Sequence, residues 1–242
     1  MENLAYILPL LFIVAYLYAS VGHGGASGYL AVMGICAISP VFMKSSALIL
    51  NIFVAGITSY SFIKNGHFKW KLFYPFALMS IPAAFIGASY TLNDLWYKKL
   101  LALCLIIAAL RIIFTPKDHT EEIKQIPLPA ALCAGAAIGL LSGMLGIGGG
   151  ILLSPLILFL KWGRFKEAAA TSAVFIWINS IAGIAGVWKT GIQLPENFYI
   201  WIAVALAGGL AGSYWGSFVA NYSRLKFVLS SILIFATIKL LL

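Results

Sequence analysis

Of the 242 residues, 62% are hydrophobic and only 10% are charged, and the mean hydropathy is +0.99. A soluble domain carries nearer a quarter charged residues, which excludes a water-soluble enzyme or nucleic-acid-binding module and predicts a polytopic membrane protein. The excess of 16 Lys+Arg over 7 Asp+Glu is then topological information and not a nucleic-acid footprint.

Apolar segments run approximately over 4–20, 28–38, 41–63, 71–90 and 96–114, and again over 128–145, 150–160, 168–188, 198–218 and 225–242. All are expected as helices. Ser39-Pro40, Asn93-Asp94, Pro195-Glu196 and Ser223 stand at cap or first-turn positions. Leu4–Ala19 lacks a basic n-region and runs into a glycine motif, so it does not read as a cleavable signal. Cys36, Cys104 and Cys133 lie in apolar segments without CxxC spacing and read as packing residues; no metal or cofactor is expected. The polar run Thr115–Gln125 is the one linker. It divides the chain into a first membrane repeat, 1–114, a linker, 115–127, and a second membrane repeat, 128–242.

Gly143–Gly150 reads Gly-Met-Leu-Gly-Ile-Gly-Gly-Gly and interrupts the apolar run from Leu128 to Leu160. Each glycine costs a helix about 1 kcal/mol against Ala, so the helix breaks here. Within lipid such a break is tolerated only where it is buried in protein or lines a cavity. Amides freed at the start of the following half-helix, at the positive end of its dipole, form an anion site without a charged side chain. The same motif stands earlier: Gly22-His23-Gly24-Gly25 precedes Gly146-Ile147-Gly148-Gly149 by 124 residues. Ser45-Ser46-Ala47 precedes Thr171-Ser172-Ala173 by 126, Lys64-Asn65-Gly66 precedes Lys189-Thr190-Gly191 by 125, and Gly87 precedes Gly212 by 125. Landmarks kept in one order at one spacing mark a duplication of the kind from which transporters are built.

Segments 28–38 and 150–160 are each about 16 Å as helix, too short for a core of about 30 Å. If each glycine segment made one crossing, the basic residues would divide eight against eight. If each folds back to its own side, eleven, Lys64, Lys69 and Lys71 among them, face five (Lys44, Lys98, Lys99, Lys189, Lys239). That satisfies the positive-inside rule. The expected architecture is therefore all-α: two inverted repeats, each a glycine-broken re-entrant hairpin plus three transmembrane helices, with both termini outside the cytoplasm. Five full spans per repeat give the same tally.

The seven acids lie at segment ends or in loops, which leaves no carboxylate at the midplane to hold a cation. The candidate anion site comprises Gly24, Gly25, Gly148 and Gly149 with the pairs Ser45-Ser46 and Thr171-Ser172, which begin the helix after each glycine hairpin. Ser20, Ser27, Ser142, Ser154, Asn51 and Asn179 are further uncharged candidates nearby; any such hydroxyl has the alternative of bonding back to its own helix. His23 is the one titratable side chain inside a glycine break. Histidine titrates near pH ~6.5, so His23 is a candidate for proton coupling, with a structural hydrogen-bonding role as the alternative. The expected partners are a small anion and the bilayer, with a homo-oligomer left open.

The doubled glycine motif, Ser154-Pro155 after it, and Ala170-Thr171-Ser172-Ala173 resemble the TauE/SafE family of sulfite and organosulfonate exporters, over essentially the whole chain. The resemblance implies export of small sulfur-containing or carboxylate anions across a bacterial inner membrane. The first half departs from the pattern: His23 interrupts its glycines, Ala31 stands where Pro155 does, and Ser45 replaces the Thr. Two other classes were weighed. A passive anion pore shares every feature above. Gly25-Ala26-Ser27-Gly28 resembles the nucleophile motif of rhomboid proteases, but no later apolar segment holds a histidine to activate the serine. No Walker-type phosphate loop is present, so energy would come from a gradient.

Overall fold

The computed structural model describes residues 2–20, 22–114, 123–189 and 191–218, together with residues 234, 237 and 238. All regular structure among the described residues is helical: α1 (Glu2–Ser20), α2 (Ala26–Ile35), α3 (Pro40–Lys64), α4 (Trp70–Ser89), α5 (Asp94–Phe114), α6 (Leu128–Leu145), α7 (Gly150–Phe159), α8 (Phe165–Val187) and α9 (Phe198–Phe218). The apolar runs of the sequence map onto these helices one by one. The last of them, 225–242, lies almost wholly outside the described residues, as does most of the polar linker.

Local chemistry sets the boundaries. Pro40 opens α3 at a position where its missing N–H costs nothing. The Asn93 side-chain oxygen accepts the Trp96 amide at 2.9 Å and caps α5. Hydropathy alone places the start of the eighth helix near 168, but α8 begins at Phe165 because the Glu167 carboxylate accepts the Arg164 amide at 3.0 Å. That carboxylate also pairs with Lys69 at 2.5 Å. Helices α3, α4, α6, α8 and α9 are long and apolar enough to cross a bilayer, so the chain is a multi-pass membrane protein. By contrast α2 and α7 have 10 residues each, about 15 Å of helix, half of a hydrocarbon core.

Two parallel helix pairs join the halves. Gly135, Gly139 and Gly143 of α6 face, in the same order, the carbonyls of Phe76, Ser80 and Ala84 of α4. Gly208 and Gly212 of α9 face those of Phe12 and Tyr16 of α1. A side chain at any of these glycines would meet backbone, which explains the spacing of four that close-packed membrane helices use. Gly87 faces the Leu140 carbonyl as Gly212 faces that of Tyr16, and these two contacts are 125 and 124 residues apart. Helices α3 and α8 cross antiparallel: Leu48 meets Gly183, Asn51 meets Ser180 and Gly56 meets Trp177.

The apolar interior forms two main clusters. One gathers α1, α2, α5, α9 and the first part of α3 around Leu11, Tyr29, Leu50 and Trp201, with Leu145, Ile147 and Ile151 from the second glycine turn and its flanks. The other gathers α4, α6, α7 and α8 around Phe76, Leu153 and Phe175. The α3–α8 crossing runs between them.

Candidate functional site

Both glycine segments form turns whose backbone only glycine adopts without strain. Gly22 and Gly25 have φ of 84° and 96°; Gly146, Gly148 and Gly149 have 80°, 72° and 78°. A Cβ in this region crowds the next carbonyl at about 1–2 kcal/mol per residue. The Gly146 amide donates to Ser142 at 2.8 Å, and the His23 amide to Tyr18 at 2.9 Å, closing the ends of α6 and α1. Among the described residues the amides of Gly24, Gly25, Gly148 and Gly149 donate to no backbone carbonyl.

The path of each turn is longer than a break at mid-depth would require. Gly146 lies against the Lys44 backbone, near the start of α3, and Gly22 against Phe62 and Ala169, near the end of α3 and the start of α8. Two residues later both chains have returned to the middle. A methyl on Gly24 would lie 2.9 Å from Asn51 Oδ1, and one on Gly148 would lie 2.7 Å from Asn51 Nδ2. Both would also touch Ile176, at 2.8 Å. The two turns therefore approach from opposite ends of α3 and meet on one side chain halfway along it.

Around this meeting point the buried polar groups are uncharged. Among the described residues no acidic or basic side chain is buried, and no group of His, Cys, Asp and Glu is placed to hold a metal ion. Asn51 Nδ2 donates to Ser180 Oγ at 3.4 Å, while Asn51 Oδ1 has no partner. Ser46 Oγ, Ser142 Oγ, Thr171 Oγ1 and both side-chain atoms of Asn179 are likewise buried without a protein partner. Tyr29, Ser59 and Trp201 carry further such atoms; leaving a buried polar group unsatisfied costs about 1–3 kcal/mol, so each asks for a ligand or water.

The remaining candidates divide clearly. Ser172 Oγ accepts from Ser154 Oγ at 2.6 Å, and Ser154 lies 3.3 Å from His23 Nε2. Ser154 spends its one proton on Ser172, so the His23 nitrogen is the donor in that contact. Half-buried His23, from the first glycine turn, thus reaches the helix that follows the second. Ser45 is buried and lines a cavity at the start of α3. Two candidates are not brought to the site. Ser20 bonds back to the Leu17 carbonyl at 2.7 Å, and Ser27 shares a 2.8 Å hydrogen bond with the Tyr18 hydroxyl within its own hairpin. The Ser27 pairing leaves the protease-like motif without an activating histidine. Ser180 and Ile176 were invisible to sequence reasoning, since neither belongs to a repeated landmark; they face the site only through the α3–α8 crossing.

Comparison with known proteins places the chain among membrane transporters. The chain is 38% identical over 234 residues, 95% of both chains, to the "Probable membrane transporter protein y4hK" of Sinorhizobium fredii. A "Probable membrane transporter protein" of Methanocaldococcus jannaschii is 26% identical over 74% of this chain and 71% of its own. Another of that description from Sinorhizobium sp. is 27% identical over 80% of each. No solved structure matches. The pattern of the family described as sulfite exporter TauE/SafE matches residues 7–240. The protein is a membrane transporter and belongs to the TauE/SafE sulfite exporter family.

Proposed function

We propose that the protein is a secondary transporter that exports small sulfur-containing oxyanions, sulfite or organosulfonates, and binds them where the two glycine turns meet. The observation that carries this reading is the set of buried, partnerless donors, the hydroxyls of Ser46 and Thr171 and the side-chain amide of Asn179, together with turn amides that donate to no backbone carbonyl. Hydroxyl, amide and backbone donors suit an oxyanion. A cation would require carboxylates, and none is buried among the described residues. Gly24, Gly25, Gly148, Gly149, Ser45, Ser46, Thr171 and Ser172 form the site in this reading, with Asn51 and Asn179 at its centre and Ser20 and Ser27 outside it. His23 carries the coupled proton.

The halves 1–114 and 128–242 act as inverted repeats. The antiparallel crossing of α3 and α8, equivalent helices of the two halves, supports this, as do the matching contacts of Gly87 and Gly212. A single crossing by each glycine segment would make α3 and α8 parallel. The setting is a bacterial inner membrane with both termini on the non-cytoplasmic face, as the positive-inside tally favours.

A thermal-shift screen of the purified protein against sulfite, methanesulfonate, sulfate and small carboxylates tests the reading. A bound anion raises the transition by mass action, and stabilisation by none of them would remove it. Uptake into proteoliposomes against an opposing anion gradient then separates a coupled carrier from a pore.

A further inference from the structure

The structure contains an open cavity of about 240 Å³ at the end where α3 and α5 start and α4 and α8 finish. Its lining includes Lys44, Ser45, Thr91, Asp94, Met144 and Gln193. At about 30 Å³ per water it has room for a small oxyanion and several waters. Lys44 gives it its character. The ammonium donates to the carbonyls of Ala88 at 2.7 Å and Tyr90 at 3.0 Å, at the negative end of the α4 dipole. Those contacts use two of its three N–H donors and fix the charge at the cavity wall.

Three features connect this cavity to an anion pathway. Ser45 belongs to the wall, and its neighbour Ser46, on the same helix as Asn51, holds a buried, partnerless hydroxyl. The floor is the end of α6: Met144 lines it, Tyr97 donates to the Leu145 carbonyl at 3.0 Å, and Gly146 of the second glycine turn lies against the Lys44 backbone. The cavity also carries a charge of its own. The residue 126 positions after Lys44 is Ala170, so the second half has no lysine at the matching place. Asp94 opposes Lys44 within the cavity but is exposed, whereas Lys44 is half-buried. Water and salt screen the exposed charge far more than the sheltered one, so the net field is positive.

We propose that this cavity is a peripheral station for small oxyanions, held by Lys44, through which they pass between that face of the protein and the centre. The inference rests on the proposed central site only for where the passage leads.

The test uses Thr91→Cys, beside the carbonyl that Lys44 holds, in a chain whose Cys36, Cys104 and Cys133 are replaced by Ala. Modification rates are measured with the anionic sulfonatoethyl and the cationic trimethylammonioethyl methanethiosulfonates, with Asn65→Cys as an exposed control. The anionic reagent should be favoured at Thr91→Cys over the control. That preference should fall on the order of tenfold in Lys44→Gln and persist in Lys44→Arg, as removal of one nearby charge requires. Saturating methanesulfonate should slow the reaction in a Lys44-dependent way, including in a Ser172→Ala background, where failure of the central site would show separately as lost binding. A preference unchanged by Lys44→Gln in folded protein overturns the proposal. So does protection that Ser172→Ala abolishes and Lys44→Gln leaves intact.

Discussion

Ser154 and Ser172 are joined by one 2.6 Å hydrogen bond, yet truncating them should have different consequences. Ser154 donates and Ser172 accepts, so the proton left for a ligand is that of Ser172. Ser172→Ala leaves a buried Ser154 hydroxyl without its acceptor, at about 1–3 kcal/mol of stability. It also removes a donor to a charged ligand, about 1.5–3 kcal/mol, or roughly 10- to 150-fold in affinity. Ser154→Ala breaks the same bond from the other side and should cost a similar stability, but it leaves the Ser172 proton in place. Its affinity should stay within about threefold of the parent, less than about 0.7 kcal/mol. Thermal unfolding of purified protein without anion reads the first quantity, and titration calorimetry with the best anion of the screen reads the second. Equal losses of affinity in both variants would show that the serines serve only to pack α7 on α8. A Ser172→Ala protein that loses stability and keeps full affinity would move the binding site elsewhere.

Asn51→Asp, nearly isosteric, places a carboxylate between Gly24 and Gly148 and should abolish anion binding by calorimetry while the helical fold persists by circular dichroism. Gly148→Ala combines a φ of 72° with a 2.7 Å approach to Asn51 and should cost about 2–4 kcal/mol from strain and overpacking. Gly66→Ala, with φ of 73° and no atom within 4 Å of the new methyl, should cost only the backbone part, about 1–2 kcal/mol by chemical denaturation. Single cysteines at Asn65 and Asn93, both exposed, should label from opposite faces with an impermeant reagent, Asn65 from the cytoplasm; labelling of Asn65 only from outside would reverse the topology. His23→Gln keeps an N–H for Ser154 but cannot titrate. The parent should bind anion more tightly as pH falls, because the protonated ring adds positive charge, and the variant's affinity should be flat with pH; identical profiles would make His23 structural.

The helices were legible because membrane spans announce themselves locally. The run 128–145 became α6 (Leu128–Leu145) without adjustment; Pro40 opened α3, though Ser39 before it makes no side-chain cap, and the Asn93 side chain capped α5. The glycine turns were legible for the same reason, since clustered glycines bear directly on local backbone energy. Partnership was not. Asn51 meets Ser180 across 129 residues, and His23 meets Ser154 across 131. Asn51 and Asn179 do not align between the halves, so the repeat that exposed Ser46 and Ser172 gave no warning of them. Ser20 and Ser27 looked equivalent to the others in sequence. Their bonds to Leu17 and Tyr18 depend on which way each helix face turns after the break. The depth of the turns was hidden too. The first glycine of each lies near a helix end and only the second reaches the middle, a path fixed by α1 and α6 packing along nearly the whole of α9 and α4.

That packing also explains why the polar atoms lie where they do. Carrying an anion across requires a site that opens to each face in turn, and repeat-built transporters do this by moving one packed body against another around a fixed site. In the proposed reading the bodies are the two apolar clusters and not the two halves of the sequence. Because α4 is locked to α6 and α9 to α1 through glycine–carbonyl contacts, each apolar cluster contains a helix borrowed from the other half. Pulling the halves apart would break both contacts and both cores. The seam between the clusters is the α3–α8 crossing, and it is lined by groups that suit a change of neighbours. Gly56 and Gly183 present little bulk there, and Asn51 and Ser180 make one long bond of 3.4 Å. The crossing carries a small apolar cluster of its own, Leu48 with Ala88 and Val187, far smaller than either main cluster, whose close-packed interior resists displacement. The uncharged donors are concentrated at this seam, and the two glycine turns reach it from opposite ends of α3. A bound anion there would touch both bodies at once, which is the condition for its binding energy to bias their relative position.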